Sequence, residues 1–313
     1  MEDMKILVMG SGGVGGYFGG RLAGAGGDVT FVARGGHLAA IRSEGLTLDS
    51  DFGRLVVKPA KAVATPAEAG GPVDIVVFAT KLGDTKSAAE SLAPVVGPET
   101  VIITFQNGIE GPGIIKAALP DAHVVPGVVR IASHIPQPGV IQQRGPFARI
   151  EFGEPGGASN PRLEAFHASC KAAGIDAILS RDIERGVWMK FAMLAPFSGM
   201  TTLTGSTAGP IRETPGTRRL MEAAVREVIA VGKAAGVKLS DDDFATVWKG
   251  VEANPSAMTS SMAHDRAAGK PLEVNYLSGA VARLGEQYGV ATPTHAFITQ
   301  ALAIEAPGKG KER

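Results

Sequence analysis

The chain has 313 residues, 44% hydrophobic and 20% charged, which is enough for about two domains and too apolar for a disordered protein. Basic and acidic residues number 31 each, so charge gives no reason to expect nucleic acid or an anionic membrane as a partner. The single cysteine, Cys170, excludes an intrachain disulfide and a thiolate metal cluster, and the six histidines lack close metal-ligand spacing. No apolar run is long enough for a membrane helix, and the acidic N-terminus is unlike a signal peptide. We therefore expect a soluble cytoplasmic protein with no bound metal and no membrane partner.

The N-terminal segment follows the pattern strand, glycine-rich loop, helix, strand. An apolar run at residues 5–9 predicts a buried parallel strand, and the glycine-rich loop follows at residues 10–15. Residues 17–25 are compatible with a helix, and residues 28–33 predict a second strand. This is the context in which a glycine loop binds a dinucleotide.

Strand and helix signals alternate over the next hundred or so residues. A proline- and glycine-rich stretch at 130–155 is interpreted as a small antiparallel excursion. The other elements predicted here are strands at 73–79, 101–105, 124–129 and 177–179 and helices at 84–92, 113–118 and 161–173. The alternation predicts an α/β fold with a Rossmann-type doubly wound sheet.

From about residue 182 onward, strand signals fade and helical periodicity replaces them. Helices are predicted at 184–194, 217–235, 240–252, 256–268, 273–288 and 293–305. We therefore predict a dinucleotide-binding domain over 1–181, an all-helical substrate and catalytic domain over 182–306, and a frayed tail over 307–313.

Each glycine of the loop has a specific use in a dinucleotide site. Gly10 permits the tight turn after the strand, Gly12 lets the backbone approach a pyrophosphate, and Gly15 lets helix and strand pack closely. The helix N-terminus adds N–H groups and a positive dipole end. In a chain with 42 glycines a chance match is the alternative, but the position favours a cofactor site. Its predicted members are Gly10, Ser11, Gly12, Gly13, Val14 and Gly15.

The end of the second strand indicates which cofactor is preferred. A site specific for NAD carries an acidic residue there to bind the ribose 2′-hydroxyl. Here Ala33 is followed by Arg34, whose planar guanidinium suits a 2′-phosphate. A solvated surface arginine is the alternative, but we predict NADP(H).

Two polar residues, Lys81 and Asn107, follow the third and fourth long strands of the predicted sheet. Ligands of open α/β sheets bind at the carboxyl ends of strands, so both residues are candidates for cofactor contacts. Asn107 precedes Gly108, and an ordinary turn is the alternative interpretation.

Lys190 shares an apolar helical face with Val187 and Leu194. It is either a lysine whose stem packs while its ammonium reaches water, or a functional group that faces an interdomain cleft. Farther along the chain lie Ser260, Ser261 and Glu273. Taken alone, these residues are explained by helix capping and the helix dipole.

In this order the motifs resemble those of the ketopantoate reductase (2-dehydropantoate 2-reductase) family, over nearly the whole chain. The resemblance depends on residues 10–15, Arg34, Thr80-Lys81, Gln106-Asn107-Gly108, Trp188-Met189-Lys190-Phe191, Ser260-Ser261-Met262 with Asp265, and Glu273-Val274-Asn275. It implies a Rossmann domain followed by a helical domain like that of 6-phosphogluconate dehydrogenase, with the active site between them. It also implies NADPH-dependent reduction of a small 2-oxo acid, 2-dehydropantoate, to pantoate in pantothenate biosynthesis, by a monomer or homodimer.

The resemblance also implies roles for individual residues. Lys190 looks like the catalytic lysine, Ser261 like a carboxylate-binding serine beside Ser260, and Glu273 like an acid that contacts the cofactor ribose and the substrate hydroxyl. Lys81 and Asn107 look like cofactor contacts, and Asn107 also like a substrate contact.

The sequence departs from the family at two predicted substrate positions. Many members have asparagines four and eight residues after the lysine, where this chain has Leu194 and Ser198; a third polar position falls on Ala208. Fewer amide donors imply a changed substrate preference. We therefore expect ketopantoate to be a poor substrate.

Three functional hypotheses remain. The first is an NADPH-dependent 2-oxo-acid reductase in which the Lys190 ammonium stabilises the developing alkoxide and donates a proton. The second is a relative that acts on another carbonyl compound. The third is a non-catalytic NADP(H)-binding regulator, which would need no proton donor. A lactate-dehydrogenase-like site would need a histidine with a carboxylate partner, and His134 near Arg130 is a poor candidate.

Overall fold

The structure, a computed structural model, describes residues 4–309. These residues form two compact units. The first comprises the chain up to residue 106 together with 111–183, and the second comprises 107–110 together with the chain from 184 onward. Residues 1–3, part of the N-terminus expected not to be a signal peptide, and residues 310–313, part of the expected frayed tail, lie outside the description.

All ten strands of the described chain and five of its α-helices lie in the first unit. The strands are β1 (Lys5–Met9), β2 (Asp28–Val32), β3 (Leu46–Ser50), β4 (Leu55–Val57), β5 (Lys61–Val63), β6 (Ile75–Phe78), β7 (Val101–Thr104), β8 (His123–Gln137), β9 (Val140–Phe152) and β10 (Asp176–Leu179). The helices are α1 (Gly13–Gly24), α2 (Gly35–Glu44), α3 (Thr85–Ser91), α4 (Gly111–Ala118) and α5 (Pro161–Ala172).

Six of these strands form the parallel part of the sheet in the order β5-β2-β1-β6-β7-β8. This is the doubly wound order, in which the winding reverses between β1 and β6 and leaves a crevice at their carboxyl ends. The predicted Rossmann-type fold is therefore confirmed. The predicted antiparallel excursion is confirmed as well, because β9 pairs antiparallel with β8 and extends the sheet through β3, β4 and β10.

The core of this unit follows from the alternation of side chains along its strands. In β1, Ile6 and Val8 lie in one apolar cluster, and Leu7 and Met9 lie in another. Strand β1, which is apolar from residue 6 to residue 9, is thus buried on both faces, as a parallel sheet covered by helices requires.

The sequence predicts no element between residues 34 and 72, where the structure has α2 and β3 to β5. Helix α2 begins with two glycines and buries only Ile41, so it lacks an apolar stripe. Strands β4 and β5 have three residues each, which is too short for a clear alternation.

The second unit is helical, as predicted. Its helices are α6 (Ile183–Thr204), α7 (Ala208–Glu213), α8 (Pro215–Ala234), α9 (Asp243–Ala253), α10 (Ser261–Ala267), α11 (Ser278–Tyr288) and α12 (Pro293–Ala301). They surround an apolar core that includes Trp188, Phe191, Val228 and Trp248. Within residues 4–309, no helix is both long enough and apolar enough to span a membrane.

Three helices of this unit differ from their predicted bounds by about five residues or more. Helix α6 continues ten residues past its predicted end through Pro196, because Phe197 and Met200 beyond the proline are buried. Helix α10 starts at Ser261 rather than 256, because the Ser260 hydroxyl caps it. The predicted helix at 273–288 begins as a 3-10 turn, and α11 starts only at Ser278, after the backbone bends at Leu277.

Candidate active site

The glycine loop joins β1 to α1 at the crevice of the sheet. Gly10 has φ +97°, and a Cβ placed there would lie 2.9 Å from the Ala79 carbonyl carbon, after β6. A Cβ on Gly15 would lie 2.3 Å from the Gly10 carbonyl oxygen and 2.8 Å from Val8 Cγ1. Larger residues would therefore push α1 off β1, or the loop off the end of β6.

The outer side of the same loop is open. A Cβ on Gly12 would meet no described atom within 4 Å, and no side chain caps the N-terminus of α1. The first helical hydrogen bond runs from the Gly16 N–H to the Gly12 oxygen, 2.7 Å away. N–H groups before it have no acceptor inside the helix and carry the positive end of its dipole. This cradle fits the pyrophosphate of a dinucleotide.

The other loop residues have mixed surroundings. Ser11 is buried, and both its hydroxyl and its N–H donate to the Val32 carbonyl oxygen, at 2.9 Å and 3.3 Å. A Cβ on Gly13 would lie 2.5 Å from the Ser133 carbonyl oxygen on β8, and Val14 packs against the core. The Ser11 hydroxyl and N–H and the Val14 side chain are therefore occupied within the fold, which leaves the Val14 backbone amide for a ligand.

Arg34 lies at the N-cap of α2, directly after β2, and its side chain is exposed. Among residues 4–309, its guanidinium has no hydrogen-bond or ion-pair partner. The preceding residue is the buried Ala33, so no carboxylate stands at this strand end. The position can bind an anion and offers no acceptor for a ribose hydroxyl.

Lys81 is exposed and lies at the N-cap of a 3-10 turn formed by Leu82–Asp84. Its loop is held by the buried amide of Gln106, which donates to the Thr80 oxygen at 3.1 Å and to Thr85 Oγ1 at 2.7 Å. The amide oxygen accepts from Thr104 Oγ1 at 3.0 Å. Gln106 thus connects the carboxyl ends of β6 and β7, a role that the sequence analysis did not assign.

Asn107 follows Gln106 in the chain but belongs to the helical unit. The Lys190 ammonium on α6 donates a hydrogen bond to Asn107 Oδ1, with 2.9 Å between Nζ and Oδ1. Both side chains are half-buried. Because the amide oxygen accepts from Lys190, its NH₂ group is directed elsewhere and can donate to a ligand.

Leu194 and Ser198 follow Lys190 on α6 at intervals of one helical turn. Leu194 is half-buried and packs against the apolar core of the helical unit. Ser198 is only 1% exposed. The third departure from the family, Ala208, is also buried, at the start of α7.

The predicted serine pair lies at the start of α10. Ser260 is buried, its Oγ accepts from the Ala263 N–H at 3.1 Å, and it is 2.8 Å from Thr201 Oγ1. Ser261 is the exposed first residue of the helix. Glu273 is half-buried, and its backbone oxygen accepts from Tyr276 and Leu277. Of the predicted polar site residues in this unit, Lys190 and Asn107 are joined by a side-chain hydrogen bond.

His37, to which the sequence analysis assigned no role, bridges two parts of the first unit. Its Nε2 is 2.9 Å from the Ser11 oxygen in the glycine loop, and its Nδ1 accepts from the Gly139 N–H at 3.0 Å. Burial lowers the pKa of His37 below its ordinary value, and the hydrogen bond to Ser11 opposes this effect. The motif does not reveal this contact, because 102 positions separate His37 from Gly139.

The sequence matches the family described as "Ketopantoate reductase PanE/ApbA" at residues 6–157 and "Ketopantoate reductase PanE/ApbA C terminal" at residues 182–305. A 2-dehydropantoate 2-reductase of Mesorhizobium japonicum is 33% identical, with 96% of each chain covered. The uncharacterized oxidoreductase YkpB of Bacillus subtilis is 31% identical, with 93% of this chain and 95% of that one covered.

Solved structures agree with the sequence comparison. The crystal structure of 2-dehydropantoate 2-reductase from Geobacter metallireducens has a TM-score of 0.89 at 27% identity, covering 96% of this chain and 99% of that chain. The two family matches together span most of the chain, and they coincide with the Rossmann and helical parts of the fold. The chain therefore belongs to the ketopantoate reductase family and is an oxidoreductase that uses a nicotinamide dinucleotide and acts on a small keto acid.

Proposed function

We propose that the protein is an NADPH-dependent 2-oxo-acid reductase in which Lys190 is the proton donor and Asn107 positions it. The observation that carries the proposal is the 2.9 Å hydrogen bond from Lys190 Nζ to Asn107 Oδ1. It holds a cationic donor at a defined place within an otherwise apolar helix face. A non-catalytic NADP(H)-binding regulator would have no use for this arrangement.

The reaction converts a ketone to an alcohol, and a bound NADPH supplies the hydride that reaches the carbonyl carbon. As the C=O π bond breaks, negative charge develops on the oxygen. The Lys190 ammonium stabilises this charge by a hydrogen bond and then transfers one proton, which gives a 2-hydroxy acid. Lys190 regains its proton from solvent, so one hydride and one proton are consumed in each turnover.

Binding of the cofactor is assigned to the first unit. The open amides at the N-terminus of α1, within the loop of residues 10–15, would hold the pyrophosphate, and Lys81 would add a positive charge. Arg34 would bind the 2′-phosphate, which is why we favour NADPH over NADH. In the helical unit, Asn107 and Ser261 would donate to the substrate, and Glu273 would accept from the cofactor ribose and the substrate hydroxyl.

The substrate class follows from the relatives, whereas the individual acid depends on this chain's own residues. The Mesorhizobium japonicum relative is named 2-dehydropantoate 2-reductase. Leu194 and Ser198 stand where many members have asparagines, so we propose a less hydroxylated or more apolar 2-oxo acid than ketopantoate. A related reductase of another carbonyl compound is the second candidate, favoured by the same apolar Leu194.

The test is oxidation of NADPH, followed at 340 nm, across a panel of 2-oxo acids that includes ketopantoate and branched and aromatic side chains. We expect turnover with at least one acid, and a loss of turnover in Lys190→Ala. Lys249→Ala is the matched control, because Lys249 is an exposed lysine on α9. Tight NADPH binding without turnover of any carbonyl compound would instead support the regulator.

The proposal also includes a cellular location and an oligomeric state. We expect it to work in the cytoplasm as a monomer or homodimer. Size-exclusion chromatography with light scattering measures the oligomeric state directly.

A further inference from the structure

We infer that His37 is a positioning residue for the cofactor: it fixes the orientation of the Ser11–Gly12 peptide so that the glycine loop presents its amides to the pyrophosphate. This inference rests on the proposed function, because it assumes that residues 10–15 bind the dinucleotide.

The hydrogen bonds determine the protonation state of the imidazole. A backbone N–H can only donate, so Nδ1 must carry a lone pair to accept from Gly139 at 3.0 Å. The ring proton is then on Nε2, which donates to the Ser11 oxygen at 2.9 Å. Both bonds need the neutral imidazole, and burial favours this form by lowering the pKa of His37.

The bond to Ser11 constrains the next amide. A trans peptide is planar, and its carbonyl and N–H point in opposite directions. Holding the Ser11 oxygen toward His37 therefore directs the Gly12 N–H away from His37. A Cβ placed on Gly12 would meet no described atom within 4 Å, so this side of the loop has space for a phosphate.

The other contacts of Ser11 do not fix the orientation of its carbonyl group. Its N–H and hydroxyl are both held by the Val32 oxygen at the end of β2. The peptide that follows still has rotational freedom, because glycine has no Cβ to restrict it. His37 removes that freedom before the cofactor arrives, which lowers the entropic cost of binding.

The imidazole is itself held in place from the opposite side. Gly139 lies in the turn between β8 and β9, and its oxygen accepts from the Thr47 N–H at 2.9 Å. A Cβ on Gly139 would lie 3.0 Å from the Ala40 Cβ on α2. The turn therefore sits directly on the helix that carries His37, and the hairpin outside the parallel sheet supports the cofactor loop.

The two halves of the bridge can be separated by substitution. In His37→Gln, the amide nitrogen takes the place of Nε2 and can still donate to Ser11. In His37→Asn, the amide oxygen takes the place of Nδ1 and can still accept from Gly139, but the side chain is too short to reach Ser11. His167→Gln is the matched control, because His167 is also half-buried and its Nε2 is 3.0 Å from the Ala177 backbone oxygen.

The measurement is the Kd of NADPH by fluorescence titration at pH 8, with the Tm of each variant recorded alongside. We expect His37→Asn to weaken binding by about tenfold, the size of one lost hydrogen bond. We expect His37→Gln to stay within about threefold of the wild type, since it keeps the Ser11 bond. In a coupled activity assay, the loss should appear in the KM for NADPH and leave kcat unchanged. His167→Gln should bind NADPH as the wild type does.

Equal Kd values for His37→Asn and His37→Gln would overturn the inference, whether both bind normally or both bind weakly. A Tm loss in His37→Asn with wild-type NADPH affinity would also overturn it, by making His37 a purely structural residue. These results differ from failure of the proposed function, in which the wild-type chain itself binds neither NADPH nor NADH.

Discussion

The Lys190 ammonium and the Asn107 amide oxygen are 2.9 Å apart, although 83 positions separate the two residues in the chain. The segment 107–110 that carries Asn107 leaves the sheet after β7 and belongs to the helical unit, where Ile109 packs against the apolar core. The proposed proton donor and the residue proposed to position it are therefore held by one packed unit, which limits the motion of the ammonium relative to the amide.

Lys190→Ala should lower kcat/KM for the best 2-oxo acid by about 10²- to 10⁴-fold, because general acid catalysis is typically worth that much. Affinity for NADPH should stay close to that of the wild type, since the proposed phosphate ligands are on residues 10–15. Steady-state kinetics together with a fluorescence titration of NADPH measure both quantities. Turnover close to that of the wild type would make Lys190 a packing residue whose ammonium reaches solvent.

Arg34→Ala should weaken NADPH binding by about 10- to 100-fold and leave NADH binding nearly unchanged. The guanidinium is exposed at the end of β2, where only NADPH has a phosphate to offer it. Isothermal titration with both cofactors measures the ratio. Arg42→Ala is the matched control, because Arg42 is on the same helix and bonds to Glu68 and the Ala62 oxygen. An equal loss for both cofactors would show that Arg34 does not bind the 2′-phosphate.

The parallel sheet could be predicted because short apolar runs, such as residues 6–9 in β1 and 75–78 in β6, indicate its strands, and its glycine loop has a fixed place after β1. The short strands β4 and β5 and the glycine-led helix α2 could not, because each is stabilised by packing against distant residues. Strand β5, for example, pairs with β2 through Ala62 and Phe31.

In the candidate site, too, some residues could be predicted from the sequence and their tertiary contacts could not. The apolar helix face makes Lys190 a candidate, the family resemblance implies its catalytic role, and Arg34 is predicted from its position after a strand. Their partners depend on tertiary contacts: Lys190 meets an amide 83 positions away, and His37 meets Gly139 at a separation of 102. Periodicity and motif spacing contain no information about such distances.

Gln106→Leu should weaken NADPH binding and lower the stability of the protein by about 1–3 kcal/mol. Leucine has a similar size but leaves the buried Thr104 hydroxyl without its acceptor, and the Lys81 loop loses its anchor. Gln143→Leu is the control: Gln143 is a buried glutamine that bonds to Ser50 and Gly145. We expect both variants to lose Tm and only Gln106→Leu to lose NADPH affinity. An unchanged Kd in Gln106→Leu would separate Gln106 from the cofactor site.

His295 should make the protein less stable as the pH falls below about 6.5. It is fully buried, its Nε2 is bonded to the Ala224 oxygen, and burial lowers its pKa from 6.5 to about 4. Between these values the unfolded chain binds a proton that the folded chain does not, so stability is complete above pH 6.5 and falls toward pH 4. The loss at pH 5 is about 2 kcal/mol for this group.

Urea denaturation at pH 7.5 and pH 5 measures this loss. His295→Gln keeps a donor for the Ala224 oxygen but cannot titrate, so it should reduce the difference between the two pH values. His264→Gln, on the exposed part of α10, should leave the difference as it is in the wild type. If His295→Gln has the same pH dependence as the wild type, the loss of stability comes from other groups.

Substrate choice should depend on Leu194, one turn along α6 from Lys190. Leucine offers apolar contact and cannot donate to a substrate hydroxyl, so a hydroxylated acid such as ketopantoate leaves a polar group unpaired against it. The cost of about 1–3 kcal/mol corresponds to roughly 5- to 150-fold in specificity. We expect the wild type to prefer a less hydroxylated or bulkier apolar 2-oxo acid, measured as kcat/KM across the panel.

Leu194→Asn should raise kcat/KM for ketopantoate relative to the preferred acid, and Leu194→Asn with Ser198→Asn should restore the family's pattern more fully. The second change has a cost, because Ser198 is 1% exposed and a larger amide must fit into a packed core. Met193→Asn is the matched control: Met193 is half-buried on the same helix, and its sulfur lies 3.3 Å from a Cβ placed on Gly250 in α9. It should lose stability without a change of preference. If the wild type reduces ketopantoate at least as well as every other acid tested, other groups replace the two amides and Leu194 does not set the specificity.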